Sequence, residues 1–257
     1  MSHSPHAQRW LLVSTATYNE RENLPELLQR IWQAVPHADV LVVDDNSPDG
    51  TGKWAEEYAA REPRLRVVIR PAKLGLGSAI LLAIEQAIAG RYRFFAHLDA
   101  DLSHDPAHLP EMLRLVEEAP EGSGPDCVIG SRYVAGGSVA GWPLRRKLMS
   151  RLVNAYARLL LRLAVRDCSG GFRLYRVEAL AKLEPASIRA RGYAFLEEIL
   201  WHLACHGCRF AEVPIRFVDR QRGRSKINSR EALAALVHMA RLALRGCRAR
   251  TLPRQST

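Results

Sequence analysis

No stretch of the sequence approaches the ~18 uninterrupted apolar residues that a bilayer-spanning helix needs, so no segment is expected to cross a membrane. The N-terminal residues lack a basic-then-apolar leader, which points to a protein that stays in the cytosol. Cysteine is scarce: there are five, scattered along the chain, and they make no disulfide framework. Cys205-His206-Gly207-Cys208 has redox or zinc spacing, but one pair cannot close a four-ligand site, so structural or incidental cysteines are expected. Neither zinc-finger spacing nor an aromatic-basic RNA-binding signature is present, which leaves nucleic acid without a reader. Internal repeats and low-complexity segments are absent too.

What the chain has in excess is positive charge: +10 over 257 residues. Such an excess suits nucleic acid, an anionic membrane surface or phosphorylated substrates. The distribution favours the last two. Arg145, Arg146, Lys147, Arg151, Arg158 and Arg162 share one helical stretch, and Arg241, Arg245, Arg248 and Arg250 crowd the C-terminus. With 47% hydrophobic residues, the length sustains one large α/β domain, alone or with a C-terminal elaboration.

The first 130 residues alternate short β-type runs with amphipathic segments. Strands are expected at Trp10 to Thr17, Val40 to Val43, Leu65 to Ile69, Phe94 to Leu98 and Cys127 to Ile129. Helices are expected at Asn23 to Ala34, Lys53 to Ala60, Ser78 to Ile88 and Pro106 to Glu118. This alternation implies a mostly parallel sheet with helices on both faces, whose ligands bind beyond the carboxyl ends of the strands. The acidic clusters fall there. After Tyr133 the pattern changes to a Gly-rich loop, Ala135 to Gly141, and a long helix. That helix carries Leu144, Leu148, Leu152, Ala155, Leu159 and Leu163 on one stripe with the arginines beside it. Strand-like Phe172 to Tyr175 and Glu212 to Phe217 flank a helix at Phe195 to Cys205, and a last helix runs from Glu231 to Leu244.

The sharpest local signal is Asp99-Ala100-Asp101 at the end of an apolar strand. Two carboxylates two apart can converge on one hard cation, which keeps the rest of its shell as water and substrate phosphate oxygens. A cation there neutralises charge on a departing diphosphate. The bland alternative is that both acids cap the following helix. Asp44 to Thr51 leaves the preceding buried strand in a turn rich in acceptors; it suits a nucleobase and ribose, or is an ordinary Asx turn. Lys73-Leu74-Gly75-Leu76-Gly77 opens a helix and can bring N–H groups near phosphate, although no Gly-Lys-Ser/Thr follows as in a P-loop.

Together these pieces resemble the family 2 inverting glycosyltransferases of GT-A fold, in the polyprenol-phosphate (dolichol-phosphate) mannose synthase branch. The resemblance runs from Thr17 to Glu231. It is carried by Thr17-Tyr18-Asn19-Glu20, the Asp44 to Thr51 and Lys73 to Gly77 runs, and Asp99-Ala100-Asp101-Leu102-Ser103-His104. Gly130-Ser131-Arg132-Tyr133, Trp142 with Arg146-Lys147 and Ser150, and Asp167-Cys168-Ser169-Gly170-Gly171-Phe172-Arg173 continue it. Gly192-Tyr193-Ala194-Phe195, Glu212-Val213-Pro214-Ile215, Asp219-Arg220 and Gly223-Arg224-Ser225-Lys226 complete it. Three positions depart from the family: Ala16 for Pro, Leu196 for Gln and Ser169 for Thr.

The resemblance implies transfer of mannose from GDP-mannose to a polyprenol monophosphate with inversion, assisted by Mg²⁺ or Mn²⁺. It implies donor contacts at Ala16, Tyr18, Glu20, Asp45, Lys73, Gly77, Asp99 and Lys226, and metal contacts at Asp99, Asp101 and Ser103. Asp101, Arg132, Arg146 and Arg220 are implied as the catalytic set. Within it Arg132 and Arg146 clamp the acceptor phosphate, and Arg220 with Lys226 belongs to a loop closing over both substrates. A phosphate oxygen is already ionised at neutral pH, so no strong general base is required. The expected organisation is a flexible 1–9, a catalytic domain over 10–228, and an amphipathic helix with a basic tail over 229–257. The rivals are a UDP-sugar donor, a polysaccharide or protein acceptor, and a non-catalytic nucleotide-sugar-binding subunit. A peripheral position on the cytoplasmic face of a membrane is expected, held by the basic stripe or by a small membrane-anchoring subunit. The stripe has a bland reading as well, a solvated helix face.

Overall fold

The computed structural model describes residues 9–118, 123–184, 187–190, 192, 194–220 and 229–246. Lys226, Arg248 and Arg250 lie outside the described residues, as do the first eight. In chain order the elements are β1 (Arg9–Thr17), α1 (Leu24–Ala34), β2 (Asp39–Asp44), α2 (Thr51–Ala59), β3 (Leu65–Ile69), α3 (Leu76–Ala89), β4 (Tyr92–His97), α4 (Leu109–Glu117) and β5 (Cys127–Ser131). Then come β6 (Ser138–Ala140), α5 (Leu144–Leu161), β7 (Arg173–Arg176), α6 (Val177–Leu180), α7 (Phe195–Cys205), β8 (Phe210–Pro214), β9 (Arg216–Val218) and α8 (Ser229–Arg245).

Seven strands form one sheet in the order β3-β2-β1-β4-β7-β5-β8. The runs of β1, β2 and β4 are apolar on both faces because the sheet is covered on both. Leu12, Leu41, Val43 and Phe95 enter one buried cluster with α3 and α7. Leu11, Val13, Val40, Val42, Phe94 and Ala96 enter the other, under α1 and α4. Helix α1 shows why: Leu24, Leu27, Leu28 and Ile31 recur at helical spacing and are all buried. Each such side chain contributes about 1.5–3 kcal/mol relative to exposure.

Strands β1, β2, β3 and β4 are parallel neighbours, with Thr17 opposite Asp44 in register. Strand β7 runs antiparallel between β4 and β5, setting Arg173 beside both His97 and Ile129. Its beginning therefore lies at the same sheet edge as the ends of β1, β2, β4 and β5. That edge collects the acidic loops, Arg132 and the 167–172 loop.

Several local expectations are adjusted. The Gly-rich 135–141 loop holds β6, paired with β9 in a separate two-stranded sheet. The 212–217 run is two strands, because the chain leaves the main sheet at Pro214 and Ile215 donates its N–H to Ser131 O (3.0 Å). The helix expected at 106–118 starts as a 3-10 turn, Pro106–His108, whose Ala107 amide is capped by Asp105 (3.0 Å). Helix α6 has no counterpart in the sequence reading. In α5 the buried residues are Asn154, Ala157 and Leu161. Along the expected stripe Leu144 is 81% and Leu159 82% exposed and Leu148 and Leu152 are more than half so, while Leu163, past the end of α5, is buried. One cysteine also departs from expectation: Cys205 is disulfide-bonded. Cys208 is a free, buried thiol, so the two are not a redox pair with each other.

Candidate active site

A cleft of about 180 Å³ opens at the carboxyl edge of β1, β2 and β4. Ala16, Tyr18, Glu20, Asp45, Lys73, Asp99, Asp101 and Arg220 line it, joined by Thr17, Gly75, Leu76 and Ala100. Gly77 does not line it. A Cβ there would meet the Phe195 ring at 2.9 Å, so this glycine lets α3 rest on the start of α7.

The loop after β2 is held by its own acids. Asp44 accepts hydrogen bonds from Thr17 Oγ1 (2.7 Å), Ser47 N (2.8 Å) and Ser47 Oγ (2.6 Å). Asp49 accepts from Arg21 N (3.1 Å), Thr51 N (3.0 Å) and Thr51 Oγ1 (2.5 Å). Burial would raise the Asp49 pKa, but these bonds outweigh it and the net direction is down. Asp45 turns to the cleft side, where it pairs with buried Arg70 and accepts the Gly75 N–H at 3.0 Å. Arg70 also donates to Ser78 Oγ (2.6 Å) and Gly75 O (2.9 Å). The Gly75 amide, a candidate phosphate donor in the sequence, is thus taken by Asp45. Lys73 Nζ sits 4.2 Å from the Tyr18 ring centroid.

The loop after β4 is built differently. Asp101 accepts from Ser103 N (3.1 Å) and pairs with Arg220 Nη2 (3.1 Å). Asp99 accepts no hydrogen bond on its carboxylate among the described residues, and 37% of its side chain is open. Dense surroundings raise its pKa, and the Asp101 charge raises it further against the opposite pulls of His104, Arg220 and Arg132. Ser103 Oγ is buried without a partner. His104 is no ligand in this arrangement. Its Nδ1 accepts the Asp99 N–H (3.4 Å), its ring packs against Phe172 (5.5 Å) and Phe217 (5.3 Å), and burial lowers its pKa. Two carboxylates and a hydroxyl, all oxygen donors, fit a hard cation that completes its shell with phosphate oxygens. No group of three or more His, Cys, Asp or Glu side chains converges anywhere among the described residues, this pair included.

Beside this cleft lie the two expected acceptor arginines. Arg132 is held in a buried fork by Asp167 (Nε 2.7 Å, Nη2 2.7 Å) and also reaches Ser169 Oγ (2.9 Å). Burial would raise the Asp167 pKa, but the Arg132 charge and hydrogen bonds prevail and lower it. Arg146 pairs with Asp219 (3.0 Å) in a half-open position. Both guanidinium groups face one indole, Arg146 at 4.1 Å and Arg132 at 5.6 Å from the Trp142 ring. Gly171 packs so closely that a Cβ would lie 3.0 Å from Asp99 Oδ1, which joins the 167–172 loop to the acidic pair.

The residues that sequence reasoning missed are the holders. Arg70 carries no motif signal, and Asp219 and Arg173 stand in motif runs that gave them no role. Arg173 is fully buried and donates to Gly170 O (2.8 Å) and Leu196 O (2.6 Å), tying the loop to α7.

Residues 13–184 match the family model described as glycosyl transferase family 2. The chain belongs to this family. It is 40% identical over 236 residues to the polyprenol monophosphomannose synthase of Mycolicibacterium smegmatis, covering 91% of this chain and 87% of that protein. It is 41% identical over 234 residues to the undecaprenyl-phosphate mannosyltransferase of Micrococcus luteus, covering 91% and 94%. Among solved structures it is similar to a Pyrobaculum calidifontis mannosyltransferase in complex with GDP-Man and Mn²⁺ (TM-score 0.59, 20% identity, 95% of this chain and 67% of that one). A second is the Mycobacterium tuberculosis glucosyl-3-phosphoglycerate synthase with Mn²⁺ and UDP-Glc (TM-score 0.62, 20% identity, 95% and 85%). At these identities the structural likeness speaks for the fold, which is GT-A: a mainly parallel sheet flanked by helices. No helix among the described residues is long and apolar enough to cross a membrane.

Proposed function

We propose that this family 2 glycosyltransferase moves mannose from GDP-mannose to a polyprenol-type monophosphate, with inversion. The observation that carries the reading is the adjacency of two half-sites at one sheet edge. An under-partnered Asp99/Asp101 pair faces the donor cleft, and Arg132 and Arg146 converge on Trp142 beside it. The names of two relatives at 40% and 41% identity supply the sugar and the class of lipid.

In this reading Asp45 and Glu20 contact the nucleoside, Tyr18 and Lys73 the ribose and diphosphate side, and Ala16 shapes the cleft, while Gly77 acts only by letting α3 pack on α7. Lys226 completes the donor set. Asp99, Asp101 and the Ser103 hydroxyl would hold Mg²⁺ or Mn²⁺, which when bound offsets the diphosphate's charge. Arg146 offers the acceptor phosphate a planar donor fork, Arg132 joins it by the edge of its guanidinium that Asp167 does not hold, and Arg220 closes the boundary between the two halves. A phosphate oxygen attacks the anomeric carbon as the carbon–oxygen bond to GDP breaks. The attacking oxygen is already anionic, so the protein's work is positioning and electrostatics. The Arg146–Asp219 pair is partly solvated and of little net worth, so an acceptor phosphate can replace Asp219.

The outward leucines of α5, flanked by Arg145, Arg151, Arg158 and Arg162, support adsorption to the cytoplasmic face of an anionic membrane, where a lipid acceptor sits. A small membrane-anchoring subunit is the other means of holding the enzyme there.

The test is transfer of radiolabel from GDP-mannose and from UDP-glucose to polyprenol phosphate, with and without Mg²⁺ or Mn²⁺. Metal-dependent mannosyl transfer is expected. Transfer from UDP-glucose alone would overturn the donor, and no lipid-linked product from either would overturn the function.

A further inference from the structure

A second cleft, about 420 Å³ in volume, lies against α5 and shares no lining residue with the donor cleft. Its lining includes Arg132, Tyr133, Arg151, Asn154, Arg158 and Arg166. The charges of this cleft are unevenly matched. Arg132 is neutralised by Asp167, and Glu212 is turned to the backbone amides of Arg166 (2.7 Å) and Asp167 (2.9 Å). Arg151, Arg158 and Arg166 are exposed and make no ion pair among the described residues. Arg151 and Arg158 are seven residues apart on α5, which places them on one face about 10 Å apart.

The floor is rigid. Asn154 donates to Ser150 O (2.8 Å) and Ser169 Oγ (2.9 Å) and accepts from Cys168 N (2.7 Å) and Ser169 N (3.1 Å), so its polar atoms are satisfied within the protein. Binding strength is therefore left to the three arginines around the rim. Just outside it stand the exposed side chains of Leu148, Leu152 and Leu159. Guanidinium forks beside an apolar stripe match a molecule with a phosphate at one end and hydrocarbon at the other.

We propose that this cleft binds the phosphodiester head group of an anionic phospholipid through Arg151, Arg158 and Arg166, with its acyl chains along the α5 leucines, beside the site of the acceptor phosphate and sharing Arg132 with it as a common wall. The proposal rests on the membrane-bound reading above and gives the adsorbed enzyme a fixed orientation. A free phosphate would use the arginines and leave the leucines idle. Through Asn154 and Ser169 the cleft also touches the hydrogen-bond network of Arg132, so the bound lipid steadies the segment that carries the acceptor clamp.

The experiment compares the full chain with R151Q/R158Q/R166Q and with an equal-charge control, R162Q/R241Q/R245Q. Sedimentation is measured with phosphatidylcholine vesicles with and without phosphatidylglycerol, at fixed ionic strength. Circular dichroism melts check that both variants fold. The cleft variant is expected to lose about 100-fold in partition onto phosphatidylglycerol vesicles, the product of three basic contacts, and at least tenfold more than the control. Equal losses in the two variants would reduce the cleft to diffuse charge and overturn the site. Release of wild type by inorganic phosphate at matched ionic strength would assign the cleft to free phosphate and overturn the lipid. Transfer to detergent-dispersed polyprenol phosphate should be unchanged in the cleft variant, and its loss there would make these arginines part of the acceptor site. Absence of transfer in the wild type would sink the proposed function, while the vesicle result still decides the cleft.

Discussion

Two acidic loops leave β2 and β4, the strands on either side of β1 in one sheet, and they treat their carboxylates in opposite ways. After β2, Asp44 and Asp49 each accept three hydrogen bonds from within or beside their own loop. After β4, Asp99 accepts none among the described residues, and Asp101 accepts one backbone N–H and an arginine. The first loop is stabilised by its negative charge, whereas the second holds charge whose natural partner is a cation. Acidic residues at a strand end are thus no guide to chemistry until their donors are counted.

The largest break in this contrast should come from Asp101→Asn. The variant keeps an acceptor for Ser103 N but removes charge from the pair, so turnover should fall by about 10³ while the melting temperature stays within a few degrees. Near-normal metal-dependent turnover would place the cation elsewhere.

A third acid isolates the cost of burial itself. Glu197 on α7 is 3% exposed with an unpartnered Oε2, and burial pushes its pKa up to about 7 from the ordinary 4.5, against the pull of Arg173. The folded state therefore binds this proton more tightly than the unfolded chain. Its effect is absent below pH 4.5, and stability is lost as pH rises through 7. Glu197→Gln should match wild type near pH 4.5 and exceed it above pH 7, by about 3 kcal/mol at most. Calorimetric melts across that range check it, and a gap independent of pH would show that the carboxylate is not strained. His97 works in the opposite direction. Burial lowers its pKa to about 3, so below about 6.5 the unfolded chain takes the proton and the fold weakens.

Asp44→Ala tests the structural side of the comparison. It strands Thr17 and Ser47 donors and should cost about 2 kcal/mol, or several degrees of melting temperature, with the remaining folded enzyme still active. A loss of turnover without a loss of stability would move Asp44 to the functional loop. Gly171→Ala is the smallest change. Its methyl presses on Asp99 Oδ1, so the metal concentration for half-maximal activity should rise about threefold at nearly constant kcat, and an unchanged metal titration would show that Asp99 yields freely.

Strands β1, β2 and β4 were legible because each is an apolar run stopped by a hydroxyl or an acid, and the helices between them repeat at helical spacing. Strand β6 was not, since three residues between glycines carry no period, and the antiparallel direction of β7 has no local signature. The cleft residues Asp45, Lys73, Asp99 and Asp101 were legible as acceptor-rich or basic turns that follow strands, whereas Tyr18 and Glu20 were implied only by the family resemblance. Their holders were not. Arg70 finds Asp45 across 25 residues, and Arg132 finds Asp167 across 35, through tertiary packing that no short window encodes. The outward direction of the α5 leucines was hidden for the same reason, because periodicity gives a face and not its neighbour.

Asp219 and Arg220 are consecutive residues, yet each is pledged to a different half of the site, Asp219 to Arg146 and Arg220 to Asp101. Their two salt links thus share one peptide unit. Under the proposed function, a cation entering the acidic pair would compete with Arg220, and a phosphate arriving at Arg146 would compete with Asp219, so each ligand would loosen the segment that the other must also move. The two occupancies would then be linked equilibria in the thermodynamic sense: whatever factor donor binding lends to acceptor affinity, acceptor binding returns to the donor. Two adjacent side chains of opposite charge would thereby make a two-substrate enzyme behave as one cooperative unit.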